Sequence, residues 1–103
     1  MSSFETKDMM SSLEKKGFVK RDGDHHFFDF FYKGQKTRIS TKISHGSDYK
    51  QYRGKLFNLV KKQLKFVKNI DLVNFAKCTL GEDEYIKILQ DQGILSKDDQ
   101  EKL

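Results

Sequence analysis

Residues 17–43, GFVKRDGDHHFFDFFYKGQKTRISTKI, decide the fold because strand-forming runs alternate with turn residues along them. Residues 25–32 hold five aromatic side chains in eight positions, and this density predicts a strand. Residues 18–21 and 37–43 lie on either side of that run and also favour extended backbone. Glycine-containing turns at 22–24 and 33–36 separate the three runs. The stretch therefore predicts an antiparallel meander of three strands.

Helical patterns flank the meander on both sides. Residues 2–16 place apolar side chains at helical spacing, with Ser2 and Glu5 spaced as a capping box and Gly17 as the stop. After a polar loop at 44–48, the spacing predicts a second helix of about fifteen residues. Its inward stripe is expected to contain Tyr52, Leu56, Leu59, Val60, Gln63 and Leu64.

Residues 67–95 form an acidic extension in which two shorter helices are predicted, at 70–77 and 82–92. Apolar residues in both helices indicate that the extension packs on the basic body, residues 1–66, within one domain. Residues 96–103 are predicted to fray. The second helix begins with three acidic residues, Glu82, Asp83 and Glu84, which stabilise a helix N-terminus. Alternatively, these residues screen the positive charge of the basic body.

The predicted fold class is α+β, in the order α-β-β-β-α, followed by one or two C-terminal helices. The sheet has three antiparallel strands, and the helices are expected to cover one of its faces. At 103 residues and 12.1 kDa, the chain has room for a single domain.

Charge is distributed unevenly along the chain. Residues 1–66 hold fifteen Lys and Arg against seven Asp and Glu, whereas residues 67–103 hold five against eight. A basic body favours a polyanionic partner such as nucleic acid, and a solvated lysine-rich surface is the alternative.

Composition excludes several classes of protein. One cysteine, Cys78, rules out an internal disulfide and a cysteine-rich zinc site. The apolar stretches are too short to span a bilayer, and the first residues lack the layout of a secretory signal. Neither a P-loop nor a dinucleotide-binding glycine pattern is present. We therefore expect a cytoplasmic protein without a membrane partner, a bound metal or a small-molecule cofactor.

Alternation along the strands predicts which side chains share a face. In the central strand, the side chains expected to face the helices are His26, Phe28, Phe30 and Tyr32. This leaves His25, Phe27, Asp29 and Phe31 on the outer face. In the third strand, the polar set that would join them is Arg38, Ser40 and Lys42. The alternative is that the C-terminal helices cover Phe27 and Phe31.

Several motifs of the body resemble, in order, those of HicA-type toxins. LEKKGF (13–18) is similar to the family's leucine-x-x-x-glycine-phenylalanine motif, and GDH (23–25) to its glycine-serine-histidine turn, with Asp24 in place of serine. HG (45–46), RGKL (53–56) and KQL (62–64) resemble the family's histidine loop, helix start and Lys-Gln segment. The resemblance covers residues 8–66, and residues 67–103 extend beyond the minimal toxin.

The resemblance implies a fold like that of double-stranded-RNA-binding domains. It also implies an mRNA-cleaving endoribonuclease that acts without the ribosome and is neutralised by a HicB-type antitoxin. The family's catalytic histidine corresponds to His25.

Metal-independent cleavage of RNA needs a base for the 2′-OH, an acid for the leaving 5′-oxygen and cations around the phosphorane. Histidine suits the proton transfers because its unperturbed pKa, about 6.5, lies near neutral pH. We predict His25 as the general acid or base, and His45 as an accessory group or a loop-stabilising residue. The predicted phosphate contacts are Lys20, Arg21, Arg38 and Lys42.

Two other functions are open from the sequence. The first is a non-catalytic RNA-binding module on the same fold. The second is a protein-interaction role, in which Phe27 and Phe31 dock an antitoxin-like partner.

Overall fold

The computed structural model describes residues 2–21, 23–43 and 50–95, apart from the side chains of residues 24 and 25. The loop at 44–48, His45 and the tail at 96–103 lie outside the described residues. Within the described ranges the elements follow in this order: β1 (Ser3–Glu5), α1 (Thr6–Lys15), β2 (Phe18–Arg21), β3 (Asp24–Tyr32), β4 (Gln35–Lys42), β5 (Gln51–Arg53), α2 (Gly54–Gln63), α3 (Asn69–Ala76) and α4 (Glu82–Asp91).

The predicted meander is confirmed, and with it the α+β fold class. Strands β2, β3 and β4 form an antiparallel sheet in that order. The turn between β3 and β4 is shorter than predicted and consists of Lys33 and Gly34. Both residues have positive φ, 53° and 80°, which a type I′ hairpin turn requires. A turn of two residues therefore joins β3 to β4.

The prediction of a single helix over residues 2–16 is wrong at its start. Residues 3–5 form β1, which pairs antiparallel with β5, and α1 begins only at Thr6. The rings of Phe4 and Tyr52 stack across this ladder at 5.1 Å. Glu5 is the N-cap and makes no side-chain capping bond, so the predicted capping box does not form. Pairing with a distant segment overrides the local helical pattern.

Helix α2 is shorter than predicted, and its inward face is rotated. Tyr52 belongs to β5, and α2 begins at Gly54. Phe57 and Val60 are buried against the core, whereas Leu56 and Leu59 are 40% and 50% exposed. The two leucines flank the buried stripe on one side, and the prediction that they pack inward is wrong.

The C-terminal helices pack on the same face of the sheet as α1 and α2. Tyr85 of α4 is fully buried, with its ring 5.9 Å from Phe18 and 5.3 Å from Phe30. Phe66 and Phe75 lie 5.2 and 5.1 Å from the same ring. The expectation that helices cover one face is confirmed, and the extension supplies the centre of the core.

Helix α1 is tied to α3 by polar groups at their contact. Ser12 Oγ donates to the carbonyl of Ala76 at 2.8 Å, and Lys16 Nζ donates to the carbonyl of Phe75 at 2.6 Å. The Lys16 side chain is buried, and this burial lowers its pKa below the ordinary value of a lysine.

None of the helices in the described ranges is long and apolar enough to cross a membrane.

Candidate nucleic-acid interface

The two faces of β3 differ in burial as the alternation predicts. Phe28 and Phe30 are 0% exposed under the helices, and Phe27 and Phe31 are half-buried on the opposite, outer face. Val19 of β2, on that outer face, is 52% exposed. The C-terminal helices therefore do not cover the outer face. His26, predicted to pack inward, is exposed at the end of the sheet, where its carbonyl accepts a hydrogen bond from Ile43.

Two cations contact the ring of Phe27. The guanidinium carbon of Arg21 is 4.4 Å from the ring centroid, and Lys42 Nζ is 5.4 Å from it. Register explains the second contact, because Phe27 pairs directly with Lys42. Both distances are within the range of cation–π attraction. The arrangement combines one aromatic surface with two positive charges, and we call Arg21, Phe27 and Lys42 the aromatic–cation site.

Asp29 holds Arg21 in place. Arg21 donates from Nη2 to Asp29 Oδ1 at 2.7 Å and from Nε to Oδ2 at 3.1 Å, a bidentate pair. Lys36 Nζ is 3.8 Å from Asp29 Oδ2. The hydrogen bonds from Arg21 lower the pKa of Asp29 below its ordinary 3.8 most strongly, and the charges of Arg21 and Lys36 add to them, against burial. Asp29 therefore stays ionised and orients the guanidinium over Phe27.

The lowered pKa of Asp29 makes part of the stability depend on pH. Because the folded-state pKa lies below that of the unfolded chain, the stabilisation is fully present above pH 3.8 and is lost as pH falls towards the folded-state value. We expect Asp29→Asn to lower the free energy of unfolding by about 1–2 kcal/mol at neutral pH. Urea unfolding from about pH 2 to pH 7 measures both effects, and the variant should lose less stability on acidification. Equal losses in the two proteins would contradict the assignment.

The structure groups only some of the predicted site residues. Arg21 and Lys42 meet at Phe27, but Lys20 Nζ pairs with Glu14 Oε2 of α1 at 3.1 Å, on the helix side. Arg38 lines a separate depression beside Ile94. Lys20 also lines a cleft that Arg21 lines. The assignment of Lys20, Arg21, Arg38 and Lys42 as phosphate contacts stays a prediction. Register shifts interrupt both ladders, at Lys20/Arg21 between β2 and β3 and at Asp29/Phe31 between β3 and β4. Such irregularities change the direction in which nearby side chains point.

The two predicted histidines cannot be placed in the same way. Residue 25 belongs to β3, and its side chain is outside the described part of the structure. His45 falls in the range 44–49, which is likewise outside it. Their assignment as acid–base groups stays a prediction.

A shallow cleft continues the outer face beyond Phe27. It has a volume of about 340 Å³ and is lined by Val19, Lys20, Arg21, Asp29, Phe31 and Lys36. Sequence reasoning did not select Asp29 or Lys36 as site residues. The available signal was that Asp29 is the single carboxylate within the aromatic run 25–32, on the face that alternation leaves outward. A charged residue in such a run requires a partner, and here it has two.

The described residues contain no group of three or more His, Cys, Asp or Glu side chains that could hold a metal ion.

Comparison of the chain with family models, with curated proteins and with solved structures finds no match in any of the three. The function is therefore argued from the chemistry of the outer face.

Proposed function

We propose that the protein binds RNA on the outer face of its sheet. The observation that carries the proposal is the position of Phe27, half-buried on this face and in contact with the Arg21 guanidinium and the Lys42 ammonium. The exposed part of the ring and the planar Arg21 guanidinium over it can stack on a nucleobase, and Lys42 can contact an adjacent phosphate. The excess of fifteen cationic over seven anionic residues in 1–66 adds long-range attraction for a polyanion.

This mode of binding favours single strands over duplexes. Bases in a duplex are already stacked on each other, so their faces are not available to Phe27. In a single strand each base presents its face, and stacking tolerates any sequence. The second aromatic residue, Phe31, lies four positions along the same strand and the same face, next to Lys36, with which it pairs. It provides a second apolar contact beside a cation.

Substitution of Phe27 tests the proposal. We expect Phe27→Leu to weaken binding of a fluorescent single-stranded RNA of about twelve nucleotides by about 5–100-fold, as loss of one stacked base predicts. Fluorescence anisotropy at several salt concentrations measures the affinity. Lys42→Gln should weaken binding of all sequences and reduce the slope of log affinity against log salt by about one.

Leu59→Ala is the matched control, because Leu59 is an exposed apolar residue on α2, away from the outer face. It should leave RNA affinity unchanged. Equal affinity of Phe27→Leu and the unchanged protein would reject this face as the binding surface. Tighter binding of duplex than of single-stranded RNA would reject the stacking mode.

RNA cleavage at His25 is the second candidate function, and the HicA-type resemblance motivates it. One structural observation supports it: residue 25 lies on β3, the strand that carries Phe27. Residue 25 is thus two positions before Phe27 on the same strand. In this function His25 would take the 2′-OH proton or protonate the leaving 5′-oxygen, giving a 2′,3′-cyclic phosphate and a 5′-OH. A HicB-like antitoxin partner stays a prediction of the same resemblance.

Incubation of the purified protein with RNA in EDTA tests cleavage. We expect products with the unchanged protein and with His26→Ala, and none with His25→Ala. The adjacent histidine is the control because it differs from His25 by one position. Cleavage by the His25→Ala protein would remove this residue from the mechanism, and absence of cleavage by all three would leave RNA binding alone.

A further inference from the structure

The outer edge of β4 has no strand partner among the strands that the structure describes. β4 is the last strand in the sheet order β2-β3-β4. The N–H of Ile43, directly after β4, donates to the carbonyl of His26 on β3 at 2.9 Å. Because backbone groups alternate in direction along a strand, those of Ser40 and Lys42 face away from β3. This edge presents N–H and C=O groups with which an added strand can pair.

Helix α2 places apolar side chains beside this edge. Thr41 Oγ1 of β4 donates to Gln63 Oε1 at 2.6 Å, so the side of α2 that carries Gln63 lies against β4. Leu59 and Leu56 are four and seven positions before Gln63, on the same side of the helix. They are 50% and 40% exposed. A strand added to the second half of β4 would bury both leucines.

The first half of β4 has a comparable apolar neighbour. A depression of about 420 Å³ lies beside Thr37, Arg38 and Ile39. Ile94, 40% exposed, and Leu95 also line it. Side chains on one face of an added strand would thus meet apolar surface along the whole length of β4.

The charges around this edge indicate what kind of strand fits. Arg38 of β4 and Lys65 after α2 are exposed, and both line the depression beside Ile94. Pairing of β4 with β4 of a second copy would bring these cations together, and like charges on paired strands are destabilising. An acidic strand would instead neutralise them.

We propose that the outer edge of β4 docks one extended strand of a partner protein, with side chains that alternate between acidic and apolar. The partner's backbone pairs with Ser40 and Lys42, its apolar side chains contact Leu56, Leu59 and Ile94, and its carboxylates face the cations. This is recognition by strand addition, in which backbone bonds supply affinity and alternate side chains supply specificity. This surface uses the backbone of Lys42 at the edge of β4, whereas the outer face proposed for RNA uses the Lys42 side chain.

Peptide binding to the full chain tests the proposal. The probe is an eight-residue peptide of alternating glutamate and valine, matched to the eight residues of β4. We expect amide NMR shifts at Ser40, Lys42, Leu56 and Leu59. Methylation of the peptide's backbone nitrogens along one edge should weaken binding at least about tenfold, since it removes strand pairing. An alternating lysine–valine peptide should not bind.

Ser40→Pro and Ser40→Ala form a matched pair of variants. Proline removes the outward N–H, a change that edge strands tolerate, and alanine keeps it. We expect the proline variant to lose the acidic peptide and the alanine variant to retain it. If the proline variant does not fold, the methylated peptide still tests the strand pairing.

Four results would overturn the proposal. They are equal binding of the methylated and unmethylated acidic peptides, absence of binding by the acidic peptide, self-association of the chain through β4, and displacement of the peptide by single-stranded RNA. Self-association would make the occupant a second copy of this chain. Displacement by RNA would assign the edge to nucleic acid.

Discussion

Replacing Tyr85 with alanine is expected to lower the free energy of unfolding by about 3–5 kcal/mol. Tyr85 is fully buried, and four aromatic rings have centroids within 5.9 Å of its own: Phe18, Phe30, Phe66 and Phe75. The substitution leaves a cavity among these rings. It also removes the hydroxyl that donates to the carbonyl of Leu64 at 2.8 Å. Because domains of this size have about 5–15 kcal/mol in total, the loss is a large share.

Tyr85→Phe is the matched control, since it keeps the ring and removes only the hydroxyl. We expect it to cost about 1–2 kcal/mol, the value of one buried hydrogen bond whose acceptor is left without that donor. Urea unfolding and thermal melting measure both variants, with about 4–8 °C of melting temperature lost for each kcal/mol. A small effect of Tyr85→Ala would mean that the extension is not part of the core. In that case the better explanation for the extension would be that Glu82, Asp83 and Glu84 screen the charge of the basic body.

Replacing Gly17 with alanine is expected to cost about 2–4 kcal/mol, from two separate causes. Gly17 has φ of 93°, a conformation that side chains with a Cβ rarely adopt. A Cβ at this position would also lie 2.8 Å from Glu82 Oε2 and 3.0 Å from Phe30 Cε1. The glycine thus allows the α1–β2 turn, the central strand and the start of α4 to approach one another.

Gly34→Ala separates the two causes. Gly34 has a similar φ of 80°, but a Cβ there would meet no atom within 4 Å. We expect this control to cost only about 1–2 kcal/mol, for the left-handed conformation alone. The difference in unfolding free energy between the two variants measures the crowding at Gly17. Equal costs would show that Glu82 and Phe30 move aside without penalty.

The candidate site was predictable in part. Alternation along β3 predicted that Phe27 lies on the outer face, and the basic composition of the body drew attention to Arg21 and Lys42. The sequence could not reveal that Asp29 holds Arg21, because these hydrogen bonds join residues of two different strands. It also grouped Lys20 and Arg38 with the site, because charge and face alone do not report the ion pair of Lys20 with Glu14 or the register shift between β3 and β4.

The sequence by itself determined the meander of β2, β3 and β4, because strand and turn preferences are carried by neighbouring residues. It likewise determined α4, whose start is marked by acidic residues and whose end is marked by Gly93. Only the tertiary structure decided that residues 3–5 and 51–53 are strands, since each becomes extended by pairing with the other. It also decided that Phe57, rather than Leu56, faces the core. That choice depends on where α2 begins and on the packing of Phe57 against Phe4, whose ring centroids are 5.8 Å apart, and local periodicity reports neither.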